Sequence, residues 1–153
     1  MKIAVFSDTH GNTARMLEAV RALKPDALIH LGDFEKDTEP LRREFPDIPL
    51  YSVCGNCDFY PKAPSGAVVE LGGVKAFLTH GHLYNVDWST DSLVYAAQEA
   101  GCRIAMYGHT HIPENEMHGS FRAVNPGSVS IPKNGSAHSA VIYENGSFEH
   151  IEI

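Results

Sequence analysis

Five short, mostly apolar segments of this chain are each followed at once by Asp, His or Asn, and this repeated pattern limits the possible folds. The polar residues stand at 7–10, 32–33, 55–58, 79–82 and 108–111, and four of these stretches contain a glycine. Short apolar runs of this kind are typical of strands buried on both faces of a sheet. Because ligands of open α/β sheets bind beyond the carboxyl ends of the strands, the five ends should bring their polar side chains into one region.

A β-α-β unit is predicted at the start of the chain. The segments KIAVFS and DALIHL are the predicted strands, and apolar side chains recur between them with helical spacing. These side chains are Met16, Leu17, Val20 and Leu23. Asn12 is placed to cap the start of this helix, and Pro25 follows its end. Such units form parallel sheet, and PLYSVC is predicted as a third strand after a short helix near residues 39–45.

The second half of the chain favours antiparallel hairpins. Two strands are predicted around Gly72-Gly73 and two more around Asn145-Gly146, with a helix over residues 91–100 and a strand at RIAMYG between them. We therefore expect an α/β fold of two packed mixed sheets with helices outside. No linker, repeat or low-complexity stretch interrupts the chain, so residues 1–153 are expected to form a single domain.

Composition excludes several classes of protein. The 153 residues carry a formal charge of −7, which disfavours nucleic acid as a binding partner because phosphate contacts need clustered Lys and Arg. No apolar run approaches the roughly 20 residues of a membrane span, and the first ten residues do not resemble a signal peptide. Three cysteines do not make a disulfide framework. We expect a cytoplasmic protein with no membrane partner.

The strand ends supply ligands for a metal centre. Asp8 and His10, as alternate residues of an extended segment, can approach one ion together; His109 and His111 either do the same or serve two neighbouring ions. The full set of candidates is Asp8, His10, Asp33, Asn56, His80, His109 and His111. Seven ligands are too many for one ion, but two ions sharing a carboxylate and a solvent oxygen would use them all. Paired ions about 3.5–4 Å apart suit phosphoester hydrolysis.

The type of donor favours particular metals. Carboxylate, imidazole and amide oxygen without an obligatory thiolate suit Mn²⁺, Fe²⁺, Co²⁺, Ni²⁺ or Zn²⁺, and Mn²⁺ is the favoured ion. A structural zinc site would instead close a tetrahedron of Cys and His. The four remaining histidines lie outside these motifs and are expected to be structural. They are His30, His118, His138 and His150.

The ordered motifs D-x-H, G-D, G-N-x-D, H-G-H and G-H-T-H resemble those of the calcineurin-like metallophosphoesterases, most of all their small stand-alone bacterial and archaeal phosphodiesterases. The resemblance runs from Asp8 to about Ser128. It implies a four-layer α/β/β/α sandwich with a dinuclear metal site at the strand ends. It also implies that Asp33 bridges the two ions, of which one is held by Asp8, His10 and His111 and the other by Asn56, His80 and His109.

The pair Cys54 and Cys57 has the spacing of a redox C-x-x-C motif or of half a zinc site. A redox pair requires an exposed first Cys at a helix N-terminus, whereas Cys54 closes an apolar strand, and no second pair completes a zinc site. Asn56 is therefore the predicted working residue of this loop. By resemblance, Cys57 stands where most of the superfamily has a catalytic His, whose acidic partner is kept as Asp58. His82 is the predicted substitute that assists the leaving group.

The resemblance implies a metal-dependent phosphodiesterase that acts on a small-molecule phosphodiester through a metal-bridging hydroxide. Two alternatives are a non-catalytic scaffold of the same fold and a phosphomonoesterase. The complete ligand set argues against the first, and the lack of Arg or Lys within the motifs argues against the second. The sequence is compatible with a homo-oligomer. The segment 83–91 offers Tyr84 and Trp88 as a stacking wall, a core pair or an interface, and NPGS at 125–128 is interpreted as a tight turn.

Overall fold

A computed structural model describes the whole chain, residues 1–153, as two five-stranded sheets with helices on their outer faces. The first third of the chain alternates strands and helices: β1 (Lys2–Phe6), α1 (Ala14–Leu23), β2 (Ala27–His30), α2 (Thr38–Glu44) and β3 (Leu50–Ser52). The remainder contains β4 (Gly66–Leu71), β5 (Val74–Thr79), α3 (Asp91–Glu99), β6 (Ile104–Met106), β7 (Pro113–His118), β8 (Phe121–Pro126), β9 (Ser139–Glu144) and β10 (Ser147–Glu152). No helix combines the length and the apolar character needed to cross a bilayer.

Both sheets are mixed. The first has the strand order β10-β9-β1-β2-β3, in which β1, β2 and β3 run parallel and the C-terminal hairpin is antiparallel to β1. The second has the order β4-β5-β6-β8-β7, in which β5, β6 and β8 run parallel and the two outer strands are antiparallel to their neighbours. The parallel strands lie at the centre of each sheet, and their carboxyl ends carry the predicted ligands.

Three apolar clusters separate four layers. The largest joins the facing sides of the two sheets and includes Ile29 and Leu78, both fully buried. A second cluster packs α1 and α2 against the first sheet through Met16 and Leu41, and a third packs α3 against the second sheet through Leu93. Complete burial of a Leu or Ile side chain contributes about 1.5–3 kcal/mol, so these layers hold the strand ends in fixed positions. The predicted α/β/β/α sandwich is confirmed.

Some local predictions were wrong. Asn12 does not cap α1: Thr13 precedes the helix without a side-chain cap, and the Asn12 N–H donates to the Thr9 carbonyl in a turn after β1. The hairpin of β7 and β8 was not predicted, because β7 is a polar edge strand that lacks an apolar alternation. Both hairpins predicted on Gly72-Gly73 and Asn145-Gly146 are present.

Candidate metal centre

The structure brings one set of predicted ligands into a compact cluster. The ligand atoms of Asp8, His10, Asp33 and His111 all lie within 4.8 Å of one another. His111 Nε2 is 3.2 Å from Asp8 Oδ1, His10 Nε2 is 3.6 Å from Asp33 Oδ2, and the two Nε2 atoms are 3.4 Å apart. Two carboxylates and two imidazoles therefore face a common point. We call Asp8, His10 and His111 the first ligand group.

The second ligand group comprises Asn56, His80 and His109 and is less compact. His80 is fully buried, and its Nε2 lies 3.3 Å from Asp33 Oδ1. The His109 ring is 5.2 Å from the His80 ring, centroid to centroid. Asn56 is exposed, and its only side-chain hydrogen bond is donated to Cys57 Sγ over 3.5 Å. The structure thus places His80 and His109 side by side and leaves the Asn56 side chain at the surface.

Asp33 lies between the two groups. Its Oδ2 faces His10 of the first group, and its Oδ1 faces His80 of the second. The Cys57 N–H donates to Oδ1 over 2.9 Å and holds the carboxylate in this orientation. A carboxylate with one oxygen toward each group has the arrangement needed to bridge two ions.

Backbone conformation concentrates strain at this site. Five of the seven predicted ligands have positive φ values: Asp8 (56°), His10 (44°), Asp33 (55°), His109 (70°) and His111 (62°). This left-handed region is uncommon for residues other than glycine and costs of order 1–3 kcal/mol each when the surroundings impose it. These turns directly follow the strand ends and bring their side chains together.

Carbonyl and carboxylate partners orient three of the rings. His80 Nδ1 lies 2.7 Å from the Leu31 carbonyl, and His111 Nδ1 lies 2.6 Å from the Ile131 carbonyl. Each Nδ1 therefore donates, which leaves Nε2 as a free lone-pair donor to a metal. His109 differs, because its Nε2 lies 2.8 Å from Asp87 Oδ2 and its Nδ1 is the nitrogen left available. No motif in the sequence pointed to Asp87.

The NPGS segment holds two of the ligand loops. The Asn125 amide donates to the Gly108 carbonyl (2.8 Å), and the Ser128 hydroxyl donates to the Asp8 carbonyl (2.8 Å). Asn125 and Ser128 are both fully buried. At Gly108, a Cβ would collide with the Ser7 hydroxyl, so the loop passes here only as glycine. The tight-turn interpretation was incomplete, because the motif also fixes the loops that carry Asp8, His109 and His111.

The carboxylates and imidazoles of the site shift one another's pKa values. Burial acts to raise the pKa of Asp8, but the neighbouring imidazoles of His10, His111 and His80 outweigh it and hold that pKa well below its usual range. Burial likewise opposes the effect of His80 on Asp33, whose pKa is lowered to about 2. Burial acts to lower the pKa values of His80 and His111, but their carboxylate partners raise both.

The proposed catalytic residues beyond the ligands take three different positions. Asp58 accepts backbone hydrogen bonds from the Glu35 N–H (2.7 Å) and the Gly55 N–H (2.8 Å), so both its oxygens are engaged in holding loops. Burial and the adjacent Asp33 raise the pKa of Cys57 to about 11. His82 lies beside the second group, with its ring centroid 5.5 Å from that of His80, and burial lowers its pKa.

The other histidines are bound to groups outside the predicted ligand set. His30 is buried and contacts the Thr9 hydroxyl (3.1 Å), His118 contacts Thr90 and Glu116, and His138 and His150 contact backbone carbonyls. Within segment 83–91, Tyr84 packs edge-on against Phe77 beneath α3, whereas Trp88 is 91% exposed. Tyr84 is thus a packing residue, and Trp88 alone presents a ring to solvent.

Two buried atoms show that the donor set fits divalent ions. Asp8 Oδ1 and His80 Nε2 are inaccessible to solvent and have no hydrogen-bond partner. Buried polar atoms are nearly always satisfied, so a pair of orphaned atoms facing each other at 3.9 Å indicates a missing ligand. Carboxylate and imidazole donors without thiolate match divalent transition metals.

Comparisons with known proteins agree with this geometry. The family model of the calcineurin-like phosphoesterase superfamily domain matches residues 1–147. Probable metallophosphoesterase YsnB of Bacillus subtilis is 30% identical over 136 residues, covering 87% of this chain and 78% of the relative. Phosphodiesterase YfcE of Escherichia coli is 32% identical over 171 residues, covering 95% and 88%.

Solved structures show the same fold. The structure of E. coli YfcE, described as a phosphoesterase, superposes with a TM-score of 0.77 at 29% identity and covers 99% of this chain and 93% of YfcE. Vps29 of Entamoeba histolytica, solved in complex with Zn²⁺, has a TM-score of 0.78 at 19% identity, covering 100% and 98%, which supports the fold alone. The match over 147 residues and these relatives together show that the chain belongs to the calcineurin-like phosphoesterase superfamily.

Proposed function

We propose that the protein is a divalent-metal-dependent phosphodiesterase whose site holds two ions. The observation that carries this proposal is the position of Asp33, which turns one oxygen toward His10 (3.6 Å) and the other toward His80 (3.3 Å). One ion would be held by the first ligand group and the other by the second, with Asp33 shared. When bound, such ions supply Lewis-acid charge and an activated water for attack on phosphorus.

The chain's own residues set the protonation state of the site. Asp8 and Asp33 have lowered pKa values, so both carboxylates are ionised and available to cations throughout the physiological range. Their negative charges repel a phosphate that is not neutralised, so substrate binding would depend on the metals. No Lys or Arg lies among the ligand motifs to receive the second negative charge of a monoester. This favours diesters over monoesters.

Hydrolysis of a diester adds water to phosphorus, breaks one P–O ester bond and returns a proton to the departing alcohol. Asp58 accepts one backbone N–H on each oxygen and no imidazole, so in this structure it holds loops and orients no histidine. Cys57 keeps its proton near neutral pH because its pKa is about 11. His82 is the remaining imidazole beside the second group, and we assign it the role of hydrogen-bond donor to the phosphoryl or leaving oxygen.

Activity on bis-p-nitrophenyl phosphate tests the proposal. Protein stripped with EDTA and reloaded with Mn²⁺, Fe²⁺, Co²⁺, Ni²⁺ or Zn²⁺ should hydrolyse this diester faster than p-nitrophenyl phosphate, with Mn²⁺ the expected best ion. Metal analysis should give two ions per chain. Two bound ions without hydrolysis under any metal would instead support a non-catalytic scaffold, and faster monoester cleavage would support a phosphomonoesterase.

A further inference from the structure

His30 is a fully buried histidine that the proposed reaction does not use. It is the last residue of β2, three residues before Asp33, and it pairs with Phe6 at the end of β1. Burial disfavours a charged imidazole, and burial accordingly lowers the pKa of His30. A neutral imidazole has one N–H and one bare nitrogen, so it donates one hydrogen bond and accepts one.

The partners of the His30 ring show which nitrogen carries the proton. The backbone N–H of Gly32 lies 3.3 Å from Nδ1 and can only donate, so Nδ1 is the acceptor and Nε2 holds the proton. Nε2 then donates to the Thr9 hydroxyl over 3.1 Å, and this hydroxyl donates to the Asp33 carbonyl over 3.4 Å. The three bonds form one hydrogen-bond chain, which starts at the Gly32 N–H and ends at the Asp33 carbonyl.

This hydrogen-bond chain encloses a strained turn. Gly32 and Asp33 have positive φ values of 94° and 55°, and a left-handed conformation at an aspartate persists only where its surroundings impose it. A Cβ at Gly32 would lie 2.7 Å from the Gly55 nitrogen, so only glycine fits there. With its first bond just before Asp33 and its last at the Asp33 carbonyl, the hydrogen-bond chain holds the backbone from which the shared carboxylate projects.

Thr9 connects the same hydrogen-bond chain to the first ligand group. It is fully buried and stands between the ligands Asp8 and His10. The Asp8 N–H also donates to the Gly32 carbonyl (3.1 Å), so backbone and side-chain bonds together join the loops that follow β1 and β2. A displaced His30 would therefore change the spacing between Asp33 and the first ligand group.

We infer that His30 is a positioning residue of the metal centre, which acts through Thr9 to set Asp33 against the first ligand group. The inference rests on the two-ion site proposed above. Neither hydrogen bond of His30 reaches a ligand side chain, so the residue acts on the backbone of two loops. An apolar side chain of similar size would fill the same volume, but it would leave the Gly32 N–H and the Thr9 hydroxyl without this partner.

Two amide variants separate the two hydrogen bonds of His30. His30→Asn keeps an acceptor for the Gly32 N–H, because asparagine commonly accepts from the backbone two residues on, but its side chain ends short of the Nε2 position. His30→Gln is long enough to donate to Thr9. In calorimetric titrations of Mn²⁺ into metal-free protein, His30→Asn should weaken binding by about tenfold or more, the usual range for residues that orient ligands, and His30→Gln by less.

Changes at Thr9 test the same bond from its other end. Thr9→Val removes the hydroxyl and should weaken Mn²⁺ binding as much as His30→Asn, whereas Thr9→Ser keeps the hydroxyl and should keep the affinity. This pair gives the answer by itself should His30→Asn not fold. The double variant His30→Asn/Thr9→Val should bind Mn²⁺ no more weakly than either single variant, because both changes break one bond.

Thr38→Val is the matched control for a general loss of stability. It also removes a buried threonine hydroxyl that donates to a carbonyl, here that of Glu35 over 2.7 Å. It should lower the urea midpoint of metal-free protein without changing the affinity for Mn²⁺. A positioning role therefore predicts Mn²⁺ affinities that do not follow the urea midpoints.

Nitrogen-15 spectra of the metal-free protein report the tautomer, and His30 should be neutral at pH 6.5 with its proton on Nε2. A proton on Nδ1, additive losses in the double variant, or Mn²⁺ affinities that follow the urea midpoints in every variant would each overturn the inference. A wild type that binds no Mn²⁺ would overturn it together with the proposed function. Failure of the Mn²⁺-bound wild type to hydrolyse bis-p-nitrophenyl phosphate counts against the proposed function alone.

Discussion

The two ligand groups differ in how completely the fold prepares them. In the first, Asp8 and His111 are buried, the histidines face carboxylates, and Ile131 and Ser128 hold the ring and the backbone in place. In the second, only His80 is equally fixed. Asn56 is exposed, and His109 depends on Asp87, a carboxylate that is itself 56% exposed.

The comparison indicates that ligands held close to the central strands are more buried and better preorganised than ligands at the surface. The first group is carried by β1 and by the loop after β6, where the NPGS segment locks the backbone. In the second group, His109 shares the loop after β6, but its ring is held by an exposed carboxylate, and Asn56 lies in a surface loop, where side chains have more freedom. We therefore expect the first group to bind its ion more tightly, and the second to be completed by the ion it binds.

Loss of Asp33 should have the largest effect because it removes the one residue common to both groups. Asp33→Ala should lower kcat/KM for the diester by about 10³-fold or more, since Lewis-acid stabilisation is worth several kcal/mol. Metal analysis should show reduced occupancy of both ions. The control is Asp47→Ala, at an exposed carboxylate outside the ligand motifs. If Asp33→Ala lost only one ion, the shared role of Asp33 would be wrong.

Asp87 offers a way to weaken the second group alone. Asp87→Asn should reduce affinity for the more weakly bound ion by about 10–100-fold, the usual effect of removing a carboxylate that orients a metal-binding His. Calorimetric titration of Mn²⁺ into metal-free protein measures both binding steps. The tighter step should not change. Equal weakening of both steps would show that the two groups are not independent.

Proton release should accompany metal binding and be strongest for the buried histidines. The pKa values of His80 and His111 are raised, so their imidazoles stay partly protonated near neutral pH, whereas a metal requires them neutral. In the metal-free protein, their ion pairs stabilise the fold fully below the ordinary pKa of 6.5, and this stabilisation is lost as pH rises through the raised folded-state pKa.

Metal affinity has the opposite pH dependence. It should fall by up to about tenfold per pH unit, for each proton displaced, as pH drops below the folded-state pKa. Calorimetry in buffers of different ionisation enthalpy counts the protons released. His80→Gln and His111→Gln should each reduce the count. A count of zero at pH 6.5 would contradict the assigned coupling.

The sequence predicted the four-layer fold and the clustering of the ligands because both depend on strand ends. Short apolar segments predicted the strands β1, β2, β5 and β6. Because parallel strands end at the same edge of a sheet, the residues that follow them were expected to lie close together. Asp87, Ile131 and Leu31 were not predicted. The first contacts His109 across 22 residues of chain, and the others contribute backbone carbonyls, which carry no signature in the side chains.

The positions of the aromatic rings were also not fixed by the sequence, for a related reason. The sequence left Tyr84 and Trp88 open as a stacking wall, a core pair or an interface. The structure packs the partly buried Tyr84 against Phe77 and exposes Trp88, Phe59 and Tyr60. Whether a ring is exposed depends on the tertiary packing around it, and residue spacing along the chain does not specify that packing.

Replacement of Cys57 should have the smallest effect, although this residue contacts both Asp33 and Asn56. Its hydrogen bond to Asp33 comes from the backbone, so Cys57→Ala keeps that bond and should retain activity within several-fold. With a thiol pKa of about 11, burial keeps the side chain neutral, and the pH–rate profile should show no limb near the ordinary thiol value of 9.0.

Cys57→His sharpens the same test, because an imidazole at this position can protonate a leaving group. General acid catalysis is typically worth about 10²–10⁴-fold, but Asp58 is held in place by two backbone amides and has not been shaped to orient an imidazole at this position. We expect a gain below that range. Two results would contradict this account: complete loss of turnover in Cys57→Ala with both ions still bound, or a phosphoryl-cysteine detected by mass spectrometry. Either result would identify the thiol as the nucleophile. The two metal-binding groups alone would then not explain catalysis.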